Sequence, residues 1–314
     1  MLSFCGKLNA FCSVHINLKY LKEKGIIMKH IVVANVTPFN ERGELDLEGL
    51  RSLYSFDLER GATHFWVMGT TGECKILNTE EKIRIARTSI EALGNKAIIG
   101  VNEDATENAV RLAKEYVDMG ASSIFSLPPV YHKPSELGLL KYYESLSKFG
   151  IPVFVYNIPD MVGYSISSAL TLKMAEEGII QGMKYTTRDL ISFLEYVNIK
   201  QNVNNFKIYM GTEQLILPSL MYGGDGVVTA VANFAPELVT RIFENFDKGN
   251  LQQAMNEQVK VNKLASAISN KDYPSGVKIA LRYRGIYVGK VREPLQEDIN
   301  QEGIIYAVLK ELGL

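Results

Sequence analysis

The sequence predicts an α/β protein: a (β/α)8 (TIM) barrel with a helical region appended at its C-terminus. The chain has 314 residues, enough for one barrel of roughly 250 residues and an appendage. From His30 onward, eight short apolar runs alternate with longer amphipathic stretches. The runs are apolar throughout, which is typical of parallel strands that are covered on both faces. An open, doubly wound sheet is the alternative for the same alternation.

The eight candidate strands are short and rich in branched residues. In chain order they are Ile31–Val36, His64–Val67, Ala97–Gly100, Ser123–Leu127, Val153–Tyr156, Ile180–Lys184, Lys207–Met210 and Gly226–Thr229. The clearest helical patterns between them cover Leu47–Leu58, Thr79–Leu93, Thr106–Met119 and Ser135–Phe149. Capping residues precede two of these helices, at Asn78 and Ser135. Glycines are predicted to end helices at Gly61, Gly94, Gly120 and Gly150.

Three parts of the chain differ in pattern. Residues 1–28 are interpreted as an N-terminal extension that the barrel does not need, either native or read from an upstream start codon. This segment lacks the continuous apolar stretch and cleavage site of a signal peptide. Residues 29–250 are predicted to form the barrel. Residues 251–314 carry helical patterns without strand signals, and they are predicted to form a helical region packed on it.

Composition and charge limit the classes of partner. The net charge is −1 and no basic run is present, so binding to nucleic acid or to an anionic membrane has no electrostatic support. No apolar run approaches the roughly 20 residues that span a bilayer. Three scattered cysteines, Cys5, Cys12 and Cys74, suit neither a disulfide framework nor a zinc site. The sequence therefore predicts a cytoplasmic protein.

Active-site residues of such barrels follow the C-terminal ends of the strands. Lys184 stands there, at the end of an apolar run, where burial disfavours the charged form of an amine. A neutral amine condenses with a ketone to form an imine. The alternative is a lysine whose ammonium group reaches solvent. Tyr156 ends the preceding strand and should lie beside Lys184, where a phenol can relay a proton; the alternative is a packing tyrosine.

The turn Gly69-Thr70-Thr71-Gly72 offers backbone N–H groups and two hydroxyls, which suit a small carboxylate. The alternative is an ordinary glycine-rich turn. No glycine-rich nucleotide motif is present. The four histidines, His15, His30, His64 and His132, lack metal-binding spacing, so neither a cofactor nor a metal is predicted. The segment Gly223–Gly226 precedes a strand and is predicted to be a tight turn at the opposite end of the barrel.

Together these segments resemble the dihydrodipicolinate synthase/N-acetylneuraminate lyase superfamily of class I, Schiff-base aldolases. The resemblance extends from Lys29 to the C-terminus. It is carried by Val36-Thr37-Pro38-Phe39, Gly69-Thr70-Thr71-Gly72-Glu73, Tyr156-Asn157-Ile158-Pro159 with Gly163, Gly182-Met183-Lys184, and Gly226-Val227-Val228-Thr229-Ala230 with Asn233.

The resemblance implies an imine between Lys184 and pyruvate or another 2-oxo acid, with Tyr156 as the proton relay. It also implies a homotetramer and a set of substrate-binding residues, which comprises Thr70, Thr71, Gly211, Ala230, Tyr131 and Pro38.

Two positions bear on the second substrate. The dihydrodipicolinate synthases carry an arginine after their Tyr-Asn-x-Pro segment, where it binds the carboxylate of the amino-aldehyde. This chain has Met161 in that segment, and a thioether cannot replace a bidentate guanidinium. The first residue of that family's Tyr-Tyr pair is Val130 here. Thr186 instead resembles the archaeal 2-keto-3-deoxygluconate aldolases, where the hydroxyl helps to bind the sugar chain, although Ile158 stands where they often carry a tyrosine.

The sequence therefore predicts reversible cleavage of 2-keto-3-deoxygluconate to pyruvate and glyceraldehyde, faster than condensation with aspartate semialdehyde by at least about tenfold in kcat/KM. Two alternatives stay open. One is the synthase reaction, condensation of pyruvate with aspartate semialdehyde. The other is a non-catalytic barrel that binds a 2-oxo acid, which the presence of both Lys184 and Tyr156 disfavours. Candidate partners for a phosphorylated sugar acid are Lys75, Lys133 and Arg188.

Overall fold

In the computed structural model, which describes residues 30–314, eight parallel strands form a closed barrel. Each strand pairs with the next in the chain, and the eighth pairs with the first. The strands are β1 (His30–Val33), β2 (His64–Val67), β3 (Ala97–Gly100), β4 (Ile124–Ser126), β5 (Val153–Asn157), β6 (Gly182–Tyr185), β7 (Lys207–Met210) and β8 (Gly226–Thr229). The predicted barrel is confirmed. The N-terminal extension expected at residues 1–28 lies outside the described residues.

Helices follow each strand and cover the barrel. They are α1 (Leu47–Glu59), α2 (Thr79–Leu93), α3 (Thr106–Asp118), α4 (Glu136–Ser147), α5 (Pro159–Val162), α6 (Ser168–Glu176), α7 (Leu190–Val197), α8 (Ile216–Met221), α9 (Pro236–Asp247), α10 (Leu251–Ile268), α11 (Ser275–Tyr283) and α12 (Ile299–Glu311). Short 3-10 turns cover Gly94–Lys96, Asn198–Gln201, Glu213–Leu215 and Val231–Asn233. No helix within residues 30–314 is long and apolar enough to cross a bilayer.

Capping hydrogen bonds form at the predicted starts of two helices. The side chain of Asn78 accepts a hydrogen bond from the Glu81 backbone N–H, and the Glu81 carboxylate accepts one from the Asn78 backbone N–H. This reciprocal pair satisfies N–H groups that the first turn of α2 leaves unbonded. The Ser135 side chain accepts from the Gly138 N–H at the start of α4. The four glycines predicted at helix exits all have positive φ.

Four strands differ in their bounds from the prediction, β4 and β5 by no more than a single residue at either end, whereas β1 and β6 differ more because backbone groups bond elsewhere. The first strand ends at Val33 rather than Val36, since the Val36 N–H donates to the side chain of Asn233 instead of to a neighbouring strand. The sixth strand begins at Gly182 rather than Ile180, since the Ile180 N–H donates back to Met174 in α6.

The barrel closes where β8 meets β1, at its N-terminal end. A Cβ atom on Gly226 would collide with the carbonyl oxygen of His30, so only glycine permits this approach. Asp225 precedes it and accepts a hydrogen bond from the Ile208 N–H at 2.9 Å. Its carboxylate also pairs with Lys200 at 2.8 Å. The Gly223–Gly226 segment therefore lies at the end of the barrel that the sequence predicted, and it closes the sheet.

The C-terminal region is less uniformly helical than the sequence predicts. Helices α10, α11 and α12 are separated by irregular segments, the longest covering residues 284–298. Those segments contact the C-terminal rim of the barrel. The Val288 carbonyl oxygen accepts from the Phe39 N–H, and the Arg292 N–H donates to the Glu73 carboxylate. Irregular backbone forms here because its polar groups bond to the barrel instead of to helical neighbours.

Candidate active site

Tyr156 and Lys184 face each other across neighbouring strands, since the two residues are partners in the register of β5 and β6. Tyr156 is 2% exposed and Lys184 is 4% exposed. The Lys184 Nζ lies 4.2 Å from the centre of the Tyr156 ring and 5.9 Å from that of Trp66. The structure therefore brings together the two residues that the sequence marks as catalytic candidates, with the amine removed from bulk water.

The Gly69–Glu73 turn lies beside this pair, and each of its two threonines contacts a tyrosine. The Thr70 Oγ1 is 3.1 Å from the Tyr156 hydroxyl. The Thr71 Oγ1 is 2.8 Å from the hydroxyl of Tyr273, which belongs to the C-terminal region. The Thr37 hydroxyl donates to the carbonyl oxygen of Gly72 at 2.7 Å. Both threonine hydroxyls thus have fixed positions at the rim.

Gly211 and Thr186 lie on the other side of the lysine. The Gly211 N–H donates to the Tyr185 carbonyl oxygen at 2.8 Å. A Cβ atom on Gly211 would collide with Thr186 Oγ1 and would lie 2.9 Å from the Lys184 Cε. The Thr186 Oγ1 is buried, and it has no hydrogen-bond partner among residues 30–314. A buried hydroxyl of this kind is available to a ligand, because leaving it unbonded costs free energy.

A cavity of about 610 Å³ opens beside Gly211 and Thr186, a volume typical of small-molecule sites. Met161 and Arg188 line one part of it, and Glu213 and Tyr273 another. Its walls therefore combine strand ends with the C-terminal region. Arg188 is exposed in the cavity and pairs with no carboxylate in the part of the chain that the structure describes.

Ala230 follows β8 and is held by a carboxylate of the cavity wall. The Glu213 Oε1 accepts hydrogen bonds from the Ala230 N–H at 3.0 Å and from the Thr229 hydroxyl at 3.2 Å. Ala230 is itself buried. Glu213 thereby joins the ends of β7 and β8 at the rim.

Of the predicted substrate-binding residues, Gly211 and Thr186 line this cavity, whereas Thr70, Thr71, Ala230, Tyr131 and Pro38 do not. Tyr131 is 86% exposed, and its ring contacts His132. Pro38 is buried and its carbonyl oxygen accepts from the Asp46 N–H, so it supports the loop that enters α1. The roles of Tyr131 and Pro38 in substrate binding therefore stay predictions, because a position after a strand end shows neither which way a side chain points nor what it packs against.

The two lysines considered for a phosphate group are engaged elsewhere. Lys75 donates to the Asn102 carbonyl oxygen and pairs with Asp104. Lys133 lies over the ring of Tyr164, 5.4 Å from its centre. Of the three candidate cations, Arg188 is the one that lines the cavity.

Sequence reasoning missed Glu213 and Tyr273. Glu213 lies three residues after β7, so the rule that active-site residues follow strand ends could have found it. Tyr273 lies in the segment between α10 and α11, and its partner Thr71 is 202 residues earlier. No local pattern signals that contact.

The chain is similar to known proteins of one family in both sequence and structure. The model of the Dihydrodipicolinate synthetase family matches residues 27–304. The 4-hydroxy-tetrahydrodipicolinate synthase of Moorella thermoacetica is 33% identical over 288 residues, which cover 90% of this chain and 98% of the relative. A dihydrodipicolinate synthase structure from Thermotoga maritima has a TM-score of 0.86 and 29% identity, covering 92% of this chain and 99% of that one.

A further solved structure shares the fold. It is YagE, a prophage protein of the dihydrodipicolinic acid synthase family from E. coli K12, in complex with pyruvate. Its TM-score is 0.87 at 24% identity, and the match covers 91% of this chain and 99% of YagE.

Proposed function

This chain belongs to the dihydrodipicolinate synthetase family, and on that premise we propose that it joins pyruvate reversibly to an aldehyde through a Schiff base on Lys184. Enzymes of this family are carbon–carbon lyases of the aldolase type, and this chain is one of them. The observation that carries the proposal is the buried Lys184 amine, which lies over the Tyr156 ring at the strand ends.

The first step forms the imine. The neutral amine of Lys184 attacks the C2 carbonyl carbon of pyruvate, and loss of water leaves an iminium ion. Its positive nitrogen draws electrons from C3, so C3 releases a proton, which Tyr156 would accept and relay, and an enamine forms. Thr70 and Thr71 would bind the pyruvate carboxylate through their hydroxyls.

The second step makes or breaks the carbon–carbon bond. In the synthetic direction, the enamine C3 attacks the aldehyde carbon, and the aldehyde oxygen takes a proton. Tyr156 would supply that proton, and Thr70 bonds to its hydroxyl. Water then attacks the new iminium carbon and releases the product from Lys184. Cleavage follows the same steps in reverse.

We propose aspartate semialdehyde as the aldehyde. The curated relatives named 4-hydroxy-tetrahydrodipicolinate synthase support this choice over the 2-keto-3-deoxygluconate cleavage that the sequence predicts. The synthase reaction needs a cation for the carboxylate of the aldehyde. Arg188 lines the cavity without a carboxylate partner among the described residues, so it would supply the guanidinium that Met161 cannot.

Cleavage of 2-keto-3-deoxygluconate is the second candidate, and one observation favours it. The unbonded hydroxyl of Thr186 lies next to Gly211 at the cavity, where it could bond to a hydroxyl of a sugar acid. The side chain of Met161 adds an uncharged surface to the same wall. A site that hydrogen-bonds a substrate hydroxyl discriminates strongly against analogues that lack it.

The proposal includes the homotetramer that the resemblance implies. Tyr131, Leu137 and Ile191 are large apolar residues exposed on the described surface, and association of subunits would cover such residues. Light scattering of the full chain would measure the number of subunits.

Borohydride reduction in the presence of pyruvate tests the proposed chemistry. A reduced adduct on the peptide that contains Lys184 is expected in the wild type and in Lys141→Met, a control at an exposed lysine on α4. It should be absent in Lys184→Met. Labelling of another lysine, or no labelling, would contradict the proposal. Steady-state assays of condensation and of cleavage, on one preparation, then rank the two candidate aldehydes.

A further inference from the structure

Tyr273 connects the C-terminal region to the candidate active site. It lies between α10 and α11, and its ring lines the cavity beside Gly211. Its hydroxyl is 2.8 Å from the Thr71 Oγ1. Thr71 is one of the two hydroxyls proposed to bind the pyruvate carboxylate, so Tyr273 contacts the binding turn from outside the barrel strands.

We propose that Tyr273 is a positioning residue, whose phenol orients the Thr71 hydroxyl so that the Thr71 proton points at the carboxylate of the bound 2-oxo acid. This inference rests on the proposed Schiff-base function. It gives the helical region after the barrel a role in substrate binding.

Counting donors and acceptors supports this direction. A phenol and a threonine hydroxyl each have one proton to donate. Among residues 30–314, Thr71 is the hydrogen-bond partner of the Tyr273 hydroxyl. If Tyr273 donates to Thr71, the Thr71 proton stays free for a carboxylate, and the chain of two bonds strengthens both. In the reverse direction the Thr71 proton would be used on the phenol oxygen, and Thr71 would have only lone pairs to present to an anion.

The Tyr273 phenol stays protonated, so it can donate a hydrogen bond to Thr71. Burial, followed by the negative charge of Glu213, raises the pKa of the Tyr273 phenol. The hydroxyl therefore keeps its proton at neutral pH and above.

Close packing holds Tyr273 in place on the side of α11. A Cβ atom on Gly276 would collide with the carbonyl oxygen of Ile268, so the first turn of α11 lies directly against the end of α10. One turn further along α11, Lys278 pairs with Glu73 at 2.7 Å. Tyr273 and Lys278 thus contact the two ends of the segment Thr71–Glu73, and this segment cannot move without disturbing both.

Tyr273 differs from Tyr156 in what it contacts. Tyr156 lies beside the Lys184 amine, whereas Tyr273 is connected to the site through Thr71. Removing the Tyr156 hydroxyl should therefore slow proton transfer. Removing the Tyr273 hydroxyl should instead weaken the binding of pyruvate.

Pyruvate-dependent borohydride trapping measures this effect without depending on the aldehyde. For Tyr273→Phe, we expect the pyruvate concentration for half-maximal trapping to rise about tenfold. A rise of this size corresponds to the loss of one hydrogen bond that supports a charged ligand. The maximal extent of trapping should stay near that of the wild type. The control is Tyr283→Phe, a tyrosine at the end of α11 whose ring contacts Tyr306, and it should match the wild type in both values. Thermal melting of all variants verifies that they fold.

A double-mutant cycle separates a positioning role from a general structural one. Thr71→Val should also raise the half-saturating pyruvate concentration, and adding Tyr273→Phe to it should produce no further rise, because the phenol acts through the threonine. Additive effects, or an unchanged value in Tyr273→Phe, would overturn the inference while the proposed function stands. Absence of trapping in the wild type would overturn the proposed function itself.

Discussion

Lys278 and Glu73 form an ion pair of 2.7 Å in which neither side chain is exposed to solvent. The Lys278 Nζ also donates to the Lys290 carbonyl oxygen, and Glu73 accepts from the Arg292 N–H. Burial lowers the pKa of Lys278. The pair connects α11 to the turn that carries Thr70 and Thr71, so the C-terminal region and the barrel rim are joined at the candidate site.

Removing Lys278 should destabilise the protein strongly. We expect Lys278→Met to lower the free energy of unfolding by about 3–5 kcal/mol, because Glu73 would be left as an uncompensated buried charge. Urea denaturation measures this change. The control is Lys263→Met, which removes an exposed ion pair with Glu311 and should cost less than about 1 kcal/mol. Similar losses in both variants would contradict the buried-pair argument.

Replacing Tyr156 by phenylalanine should slow turnover while leaving the fold intact. The ring over Lys184 is kept and the relay hydroxyl is lost, so kcat should fall by about 10²–10⁴-fold. Steady-state assay of the aldol reaction measures it. Tyr143→Phe is the matched control, since the hydroxyl of this buried tyrosine donates to the Ser126 backbone carbonyl. Near-wild-type turnover in Tyr156→Phe would make the residue a packing tyrosine.

Adding a methyl group at Gly211 should obstruct the lysine. The new Cβ would collide with Thr186 and crowd the Lys184 Cε, and displacing a reacting group by about 1 Å can cost about 10²-fold in rate. The rate of pyruvate-dependent borohydride trapping in Gly211→Ala should fall accordingly. Gly303→Ala lies where the added atom meets open space and should keep the wild-type rate. Equal trapping rates in the two variants would show that the rim tolerates the methyl group.

His64 should make stability depend on pH in the acid range. Burial, followed by the charges of His30 and Lys96, lowers the pKa of His64 to about 4, against an ordinary value of about 6.5. Between about pH 4 and pH 6.5, His64 therefore binds a proton in the unfolded chain but not in the folded chain. Stability should be full above about pH 6.5 and should fall as the pH drops toward about 4. Urea midpoints across this range should change less in His64→Gln than in the wild type. In the control His132→Gln, at an exposed site, the urea midpoint should depend on pH as it does in the wild type. The same pH dependence in His64→Gln would show that His64 is not responsible for it.

Arg188 should affect one aldehyde selectively. If its guanidinium binds the carboxylate of aspartate semialdehyde, Arg188→Met should raise the KM for that aldehyde by about 10-fold or more, as expected for a hydrogen bond to a charged group. The KM for pyruvate should stay unchanged. Arg87→Met, on the outer face of α2, controls for general charge effects. If the KM for the aldehyde does not change, Arg188 is not the carboxylate anchor.

Local patterns in the sequence were sufficient for the barrel and for the pair Tyr156 and Lys184. Branched apolar runs form strands wherever they are buried, and parallel strands end at a common rim. Two strand-end residues one strand apart in the chain therefore become neighbours without further information.

Only the tertiary structure decided the contacts that the irregular segments make. The Val36 N–H bonds to Asn233, 197 residues away, and this contact ends β1 early. Tyr273 reaches Thr71 across 202 residues, while Tyr131 points into solvent although it also follows a strand. The physical reason is that a side chain's partner in a loop depends on the path of the whole backbone. Local periodicity in the sequence indicates burial and the type of secondary structure, but it does not determine the path of the backbone.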